Sequence, residues 1–319
     1  MSDKLFEGSI TQVHGIRVGQ AEDRRAKTGV TVVLCGRDGA VIGADVRGAA
    51  PGTREIALTK SENTVERANA VLLAGGSAFG LNAAAGVMRF LEEAGVGVDT
   101  GVCRVPIVPA AVLFDLGVGD GKVRPDAEMG YAACLAASKQ VEQGAHGAGT
   151  GATIGKLVPG CMPAPGGTGT ASLTLACGVT VGAIACVNAC GNVYDPHSGR
   201  LIACGHLSDG APVPCESLLY GAKPVAEPLK FPKPTNTTIV VVATDAVLTK
   251  PQVNRLATCA HDGFARAIHP VHTQMDGDTA FALATGRVDA EVNPVQLCAA
   301  AAEVVARAIA NAALMEGAR

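Results

Sequence analysis

The sequence NTTIVVVATDA at residues 236–246 marks the sharpest change of character in the chain. It follows PVAEPLKFPKPTN at 224–236, a Pro-rich segment without periodicity that is typical of an exposed linker. From Thr237 onward the residues are β-branched and apolar, which predicts a strong strand over 237–246. The boundary between Asn236 and Thr237 is therefore a candidate functional junction.

A threonine at such a boundary has two explanations. Composition alone favours the plain one, in which Thr237 is a strand-forming residue. The other explanation is that Thr237 is a nucleophile. It requires a cut in the chain, because an internal hydroxyl is a weak nucleophile. A cut before Thr237 would create an α-amine with a reference pKa of about 7.7–8.0, and this amine would be a base beside its own hydroxyl.

Composition excludes several classes of protein. The 319 residues are 48% hydrophobic and 17% charged, which excludes long disorder. Lys and Arg number 26 against 29 Asp and Glu, a net charge of −3, so a nucleic-acid partner is not expected. With 40 Gly, 3% aromatic residues and no Trp, the core must be built from small aliphatic side chains, with close backbone contacts at glycines.

Cysteine usage and hydropathy indicate a cytoplasmic protein. The 11 Cys include no Cys-x-x-Cys pair, which favours small buried thiols in a reducing compartment. The opening MSDKLFEGSI lacks the apolar core of a signal peptide. The uncharged ASLTLACGVTVGAIACVNAC at 171–190 is long enough to span a bilayer, but its polar residues and β-branched spacing predict two buried strands. No membrane partner is expected.

Periodicity predicts a layered fold. Residues 28–36 and 39–46 are apolar and β-branched and are predicted to form a hairpin, and 69–74 a buried strand. Helices are predicted over four segments: 79–94, 125–140, 251–268 and 293–315. Strands come first, and strands and helices then alternate without regular βαβ units. This order predicts an α+β sandwich instead of a Rossmann fold.

Two glycine-rich segments resemble known motifs without matching them. In GAHGAGTGATIG at 144–155, followed by Lys156, the Ser or Thr of a phosphate-binding loop is replaced by Leu157, so a close-packing loop is favoured. Lys156 nevertheless stands alone beside an uncharged segment, which raises its chance of a role. GGSAFG at 75–80 is not a nucleophile elbow and is predicted to be a strand-to-helix turn with Ser77 near the N-cap.

Acidic and histidine residues give weaker signals. Asp276 and Asp278 flank one glycine, a pattern typical of a solvated turn, a cation site, or carboxylates that orient a nucleophile. His261, His269 and His272 have spacings that fit no standard metal template. No histidine is therefore favoured as catalytic, and no metal or organic cofactor is expected.

Taken together, these segments resemble one family. They are spread over nearly the whole chain in the family's order: TGVTVVL (28–34), GAAPGTRE (48–55), NAVLLAGGSAFGLNAAAGVMRFLEE (69–93), GATIGK (151–156), VNACGNVYDPHSG (187–199), NTTIVVVATDA (236–246) and DGDT (276–279). The chain resembles the DmpA family of L-aminopeptidase/D-esterases and β-peptidyl aminopeptidases. The junction and DGDT are most similar to the nylon-oligomer hydrolase branch, NylC; the DmpA branch has Ser where this chain has Thr237.

The resemblance implies an N-terminal-nucleophile hydrolase with an αββα sandwich, a fold shared with the ornithine acetyltransferases. It implies a single domain, 1–319, that cuts itself between Asn236 and Thr237 into an α chain, 1–236, and a β chain, 237–319. The implied substrates are short peptides, amino-acid amides or esters, and amide oligomers, hydrolysed through a Thr acyl-enzyme. The family also implies a homo-oligomer, a tetramer of αβ units.

The resemblance assigns the site residues one at a time. Thr237 matches the nucleophile, and Asp276 and Asp278 match the carboxylates near it. Lys156 matches a lysine that contacts the nucleophile region. Asn188 matches an asparagine whose side-chain amide stabilises an oxyanion.

Alternatives to this interpretation stay open. Thr235 or Thr238 can replace Thr237 as the nucleophile; Thr238 ranks second because adjacent strand residues face opposite sides. An acyltransferase of the ornithine acetyltransferase type passes the acyl group to an amine instead of water. An uncleaved, non-catalytic homologue is the third possibility.

Overall fold

The computed structural model describes residues 5–220 and 235–317. Within these ranges the helices are α1 Ala83–Glu93, α2 Ala127–Leu135, α3 Glu216–Tyr220, α4 Lys250–Ala267 and α5 Pro294–Gly317. The strands, in chain order, are β1 Arg17–Asp23, β2 Thr28–Leu34, β3 Ala40–Val46, β4 Gly52–Arg54, β5 Arg67–Ala68, β6 Ala70–Ala74, β7 Val98–Asp99, β8 Arg104–Val105, β9 Ala110–Val112, β10 Thr153–Ile154, β11 Ala164–Pro165, β12 Gly167–Thr174, β13 Thr180–Asn188, β14 Asn192–Tyr194, β15 Leu201–Ala203, β16 Thr237–Ala246, β17 Ile268–His269 and β18 Thr279–Val288.

Two large sheets lie face to face. One has the strand order β1-β2-β6-β9-β4 and the other β12-β13-β16-β18-β3-β5. Helices α1 and α2 pack on the first sheet, and α4 and α5 pack on the second. The side chains between the sheets are apolar and include Ile42, Leu73, Ile184, Ile239 and Phe281. The layers run helix, sheet, sheet, helix, which confirms the expected αββα sandwich.

Strand β16 begins at the predicted residue and lies in the middle of its sheet. It pairs antiparallel with β13 and parallel with β18. Ile239 and Val241 face the inter-sheet core, whereas Val240 and Val242 face the helices. By the same alternation, Thr237 faces the space between the two sheets and Thr238 faces the helices.

The long apolar segments are internal to the protein. The uncharged stretch forms β12 and β13, which pair antiparallel, as predicted. Helix α5 is long and apolar enough to cross a membrane by length and composition, but 78% of that stretch is buried inside the protein. It packs on β12 and β13 as the core helix of one outer layer. All 11 cysteines lie in the described ranges as free thiols, and most are buried.

The predicted hairpin of 28–36 and 39–46 is wrong. Strand β2 pairs with β1 and β6, whereas β3 pairs with β18 and β5 in the other sheet. The short connection turns through Gly36 and Gly39, which have φ values of 74° and 66°, and so joins the two layers. Two buried strands close in sequence look like a hairpin, but here each one belongs to a different sheet.

One other prediction is adjusted, and one is not tested. The helix predicted over 125–140 ends at Leu135, and Ser138 instead forms an isolated bridge with Val18. The linker predicted over 224–236 lies outside the described residues, except for Thr235 and Asn236.

Candidate active site

The junction before β16 is buried and brings reactive groups together. Asn236 is 2% exposed and Thr237 is 5% exposed. The Thr237 Oγ1 hydroxyl donates a 2.5 Å hydrogen bond to the carbonyl oxygen of Asn236. The same oxygen accepts the backbone N–H of Gly277 at 2.9 Å. A hydroxyl and a fixed amide donor therefore meet at the carbonyl of the bond between Asn236 and Thr237.

Gly277 is a site residue that sequence reasoning missed. A Cβ atom there would lie 2.8 Å from Thr237 Oγ1 and 2.6 Å from the carbonyl oxygen of Ala50, so the close approach requires glycine. The sequence shows only a glycine between two carboxylates. No pattern in a single chain reveals that its N–H points at a carbonyl 41 positions earlier in the chain, at Asn236.

The two flanking carboxylates are buried and held by hydrogen bonds. Asp278 Oδ1 accepts a 2.7 Å hydrogen bond from the N–H of Thr238, which belongs to the peptide bond directly after Thr237. Asp276 Oδ2 accepts the N–H and Oγ1 of Thr273 at 2.9 and 2.5 Å. Burial raises the pKa of Asp276 to about 6, and the charge of Asp278 adds to this. DGDT is thus a buried loop beside the junction instead of a solvated turn.

Lys156 approaches the junction from the other side. Its Nζ donates to Asn188 Oδ1 at 2.7 Å and to the Asn188 carbonyl at 3.2 Å. The strand register places Asn188 opposite Thr237. Although the residue keeps some exposure, desolvation lowers the pKa of Lys156 to about 7, against the opposing effects of Cys190 and Asp276. The lone lysine of the sequence therefore lies at the site with a proton that titrates near neutrality.

Asn188 is fully buried, but its amide does not contact the Asn236 carbonyl. Nδ2 donates to the carbonyl oxygens of Phe114 and Thr235 at 3.0 and 3.2 Å. Both N–H groups are thus engaged while the chain is continuous. The implied oxyanion role for this amide remains a prediction, and in the uncut chain Gly277 supplies the donor to the Asn236 carbonyl.

The structure also brings histidines to the site, which the sequence did not favour. His272 Nδ1 lies 2.8 Å from Asp278 Oδ2, and His272 Nε2 lies 3.2 Å from Nδ1 of His261. The two histidines come from a loop and from α4, so only the tertiary fold joins them. In residues 5–220 and 235–317, no group of three or more His, Cys, Asp or Glu side chains is arranged to hold a metal ion.

A cavity of about 150 Å³ adjoins the junction. Its wall includes Ser77 and Phe114 on one side and Thr235 and Thr237 on the other. Ser77 starts a 3-10 turn, Ser77–Asn82, that leads into α1, and its φ of 53° places it in the left-handed region. Gly76, with its N–H on Asp115, takes the N-cap position predicted for Ser77. The GGSAFG turn therefore borders the space in front of Thr237.

Comparisons with known proteins identify the family and the fold of this chain. The profile of peptidase family S58 matches residues 8–318. An uncharacterized aminopeptidase of Mycobacterium tuberculosis is 51% identical over 294 residues, 88% of this chain and 82% of that protein. A 6-aminohexanoate-oligomer endohydrolase of Kocuria is 32% identical over 282 residues, 88% and 76% of the two chains.

A solved structure with the same fold is the L-aminopeptidase/D-Ala-esterase/amidase of Ochrobactrum anthropi, a prototype of the serine aminopeptidases with a variant of the Ntn hydrolase fold. It superposes with a TM-score of 0.69 over 98% of this chain and 87% of that one, at 21% identity. At that identity the likeness concerns the fold, and it confirms the Ntn-type sandwich.

Proposed function

Because the chain belongs to peptidase family S58 and is thereby a peptide or amide hydrolase of the Ntn type, we propose that it cuts itself before Thr237 and then works through a Thr237 acyl-enzyme. The resemblance to the DmpA family, and to its nylon-oligomer hydrolase branch, is confirmed by the family match and by the relatives. The self-cleavage and the identity of the nucleophile are our proposal.

The contact of Thr237 with the Asn236 carbonyl carries this proposal. The hydroxyl is 2.5 Å from the carbonyl oxygen of the bond to be cut. The N–H of Gly277 is already aligned with that oxygen, at 2.9 Å. A fixed donor of this kind stabilises the negative charge that develops when a hydroxyl adds to a carbonyl.

The cleavage step moves the acyl group from nitrogen to oxygen. Thr237 Oγ1 bonds to the carbonyl carbon of Asn236, and the C–N bond breaks. The hydroxyl proton passes to the departing nitrogen, by way of Lys156 if that amine is neutral, as its pKa of about 7 permits. Water then hydrolyses the ester and leaves a carboxylate on Asn236 and a free α-amine on Thr237.

Turnover repeats the same chemistry on a substrate. The new α-amine accepts the Oγ1 proton while Oγ1 bonds to the substrate carbonyl, the amine product leaves, and water releases the acid. In the uncut chain, Asn188 Nδ2 donates a hydrogen bond to the carbonyl oxygen of Thr235, which is next to the residue that would end the α chain. Movement of that end would free this amide for the oxyanion of a substrate.

Both proposed chains belong to one domain. Strand β16 of the β chain would lie between β13 of the α chain and β18 of the β chain, and β18 also pairs with β3 of the α chain. These pairings and the shared core would hold the two pieces together after the cut. We further propose a cytoplasmic location and assembly into a tetramer of αβ units.

The substrate proposal covers short peptides, amino-acid amides or esters, and amide oligomers. The name of the Kocuria relative specifies 6-aminohexanoate oligomers. The cavity beside Thr237 is small and has Ala50, Gly52 and Ala78 in its wall. A small or linear acyl group fits such a wall better than a bulky aromatic one.

Intact-mass measurement tests the proposal directly. The purified protein should yield two species that correspond to residues 1–236 and 237–319. Thr237→Ala should remain one chain without amide hydrolysis, and Thr237→Ser should still be cut. A single wild-type chain after long incubation, or a hydrolytic activity that survives Thr237→Ala, would contradict it. Products formed with and without an added amine acceptor distinguish hydrolysis from acyl transfer.

A further inference from the structure

A line of four groups runs away from the nucleophile through the half-buried His272 and the buried His261. Asp278 holds the Thr238 amide with Oδ1, and its Oδ2 accepts the backbone N–H of His272 at 3.1 Å and faces His272 Nδ1 at 2.8 Å. His272 Nε2 is 3.2 Å from His261 Nδ1. His261 Nε2 is 3.0 Å from the carbonyl oxygen of Asp45.

The partners at each end fix the protons along this line. A carbonyl oxygen only accepts, so His261 must carry its proton on Nε2. Burial lowers the pKa of His261 to about 4, so the ring is neutral near neutrality and its Nδ1 is an acceptor. His272 Nε2 must therefore donate, which leaves its Nδ1 facing a carboxylate oxygen that also only accepts when ionised.

The simplest assignment gives both ring nitrogens of His272 a proton. We propose that His272 is a cationic positioning residue that neutralises Asp278 and fixes its carboxylate on the Thr238 amide, beside the nucleophile. This inference rests on the proposed role of Thr237. His261 acts one step further out, as the acceptor that keeps the His272 ring in this orientation.

The backbone of His272 supports a fixed position. Its φ is 56°, in the left-handed region that non-glycine residues seldom adopt, and such residues persist where their surroundings hold them. The side chain is only 17% exposed and the Asp278 side chain 2% exposed, so their charges face each other with little water between. An unpaired carboxylate at that depth is costly, and the imidazolium removes this cost.

Other charged and titratable groups surround the pair and influence its response to pH. These groups are Asp276 on the same loop, Lys156 and Cys190 near the end of β13, and Asp45 and Arg47 on β3 and directly after it. Loss of the His272 charge favours the protonated forms of Asp276, of Lys156 and of the new α-amine of Thr237. The acid limb of the rate profile should therefore move to higher pH.

Nitrogen NMR of the unmodified protein tests the protonation state of His272 and does not depend on the activity of any variant. In protein labelled at histidine nitrogens, with the signals of His272 assigned from their loss in His272→Asn, both ring nitrogens should be protonated at about pH 7. A His272 ring with one protonated nitrogen at that pH would overturn the proposal, because the shared proton would then belong to Asp278.

Two substitutions test the positioning role. His272→Asn tolerates the left-handed backbone and keeps a donor near Nδ1, but it carries no charge and does not reach His261. We expect kcat to fall about tenfold, KM to stay within about threefold, and the acid limb to rise by about one pH unit. His272→Gly suits the same φ, and added imidazole should restore part of kcat. His14→Asn and His14→Gly, at an exposed histidine, are the matched controls.

The outcomes separate this inference from the proposed function. If wild-type activity depends on Thr237, but His272→Asn leaves the acid limb in place and imidazole does not rescue His272→Gly, the positioning role is wrong and the proposed function stands. If wild-type activity does not depend on Thr237, the proposed function fails and the positioning role fails with it.

Discussion

Lys156 and Asn188 are joined by a 2.7 Å hydrogen bond from Nζ to Oδ1, and Asn188 is the strand partner of Thr237. This relationship explains why the site forms at one end of the sheet. Strand β13 runs antiparallel to β16, so its last residue lies beside the first residue of β16. Strand β18 runs parallel to β16, so the loop before it, with Asp276 and Asp278, reaches the same end. The amine and the carboxylates thus flank the hydroxyl from neighbouring strands.

Thr238→Val should stabilise the protein and leave self-cleavage intact. The Thr238 hydroxyl is buried and has no hydrogen-bond partner in the part of the chain that the structure describes. Valine has nearly the same shape without an unsatisfied oxygen, and it keeps the N–H that Asp278 accepts. We expect a gain of about 1 kcal/mol in the free energy of unfolding, measured with urea on the Thr237→Ala background so that every chain is uncut.

This variant also separates the two threonines at the junction. If Thr238→Val prevented formation of the two fragments while Thr237→Val allowed it, the nucleophile would be Thr238 and the present assignment would be wrong.

Gly277→Ala should slow the cut strongly. The added Cβ lies within 2.8 Å of Thr237 Oγ1 and 2.6 Å of the Ala50 carbonyl oxygen, so the loop must move and its N–H must leave the Asn236 carbonyl. Loss of one oxyanion donor slows comparable steps about 100- to 1,000-fold. The rate of fragment formation, followed by mass spectrometry, measures the effect.

Gly117→Ala is the matched control for this change. Gly117 is exposed, and a Cβ there meets no atom within 4 Å. It should be cut at the wild-type rate, and equal rates for Gly277→Ala and Gly117→Ala would remove Gly277 from the mechanism.

The sequence predicts the strands and helices with strong local patterns well, and it predicts contacts between distant segments poorly. Strand β16 and helix α4 have clear composition and starting residues, so their limits were close to those observed. The pairing of β2 and β3 was wrong because sequence proximity does not determine which sheet a buried strand joins. The contact between His261 and His272 could not be predicted, because α4 and the loop before β18 meet only in the folded chain.

Lys250→Met should lower stability without changing self-cleavage. Lys250 is 4% exposed, and its Nζ donates to the carbonyl oxygens of Leu58, Asn63 and Val65 at 3.0, 2.8 and 2.8 Å. Removing the ammonium leaves these three acceptors with fewer partners, so we expect a loss of about 1–3 kcal/mol, measured by urea unfolding on the Thr237→Ala background. The fragments should still form at the wild-type rate when Thr237 is present. Slowed cutting at unchanged stability would give Lys250 a role that its contacts do not indicate.

Lys156→Met should have the opposite effect: no cutting, but higher stability at low pH. The folded pKa of Lys156, about 7, lies below its ordinary value of 10.5, so burial of the ammonium costs stability throughout the range below about pH 7. That cost fades as pH rises from about 7 to 10.5, where the folded state has already released its proton. Methionine has no such cost, and Asn188 Oδ1 keeps the N–H of Thr153 at 3.0 Å as a donor.

We therefore expect Lys156→Met to exceed its parent by about 1–3 kcal/mol at about pH 6, and the difference to vanish towards pH 10. The gain stays below the full desolvation cost because the attraction between Lys156 and Asp276 is also lost. Both proteins should carry Thr237→Ala, so that a difference in cutting does not enter the comparison of their urea unfolding curves. An advantage that grows with pH would show that Lys156 is not a desolvated ammonium in the folded chain.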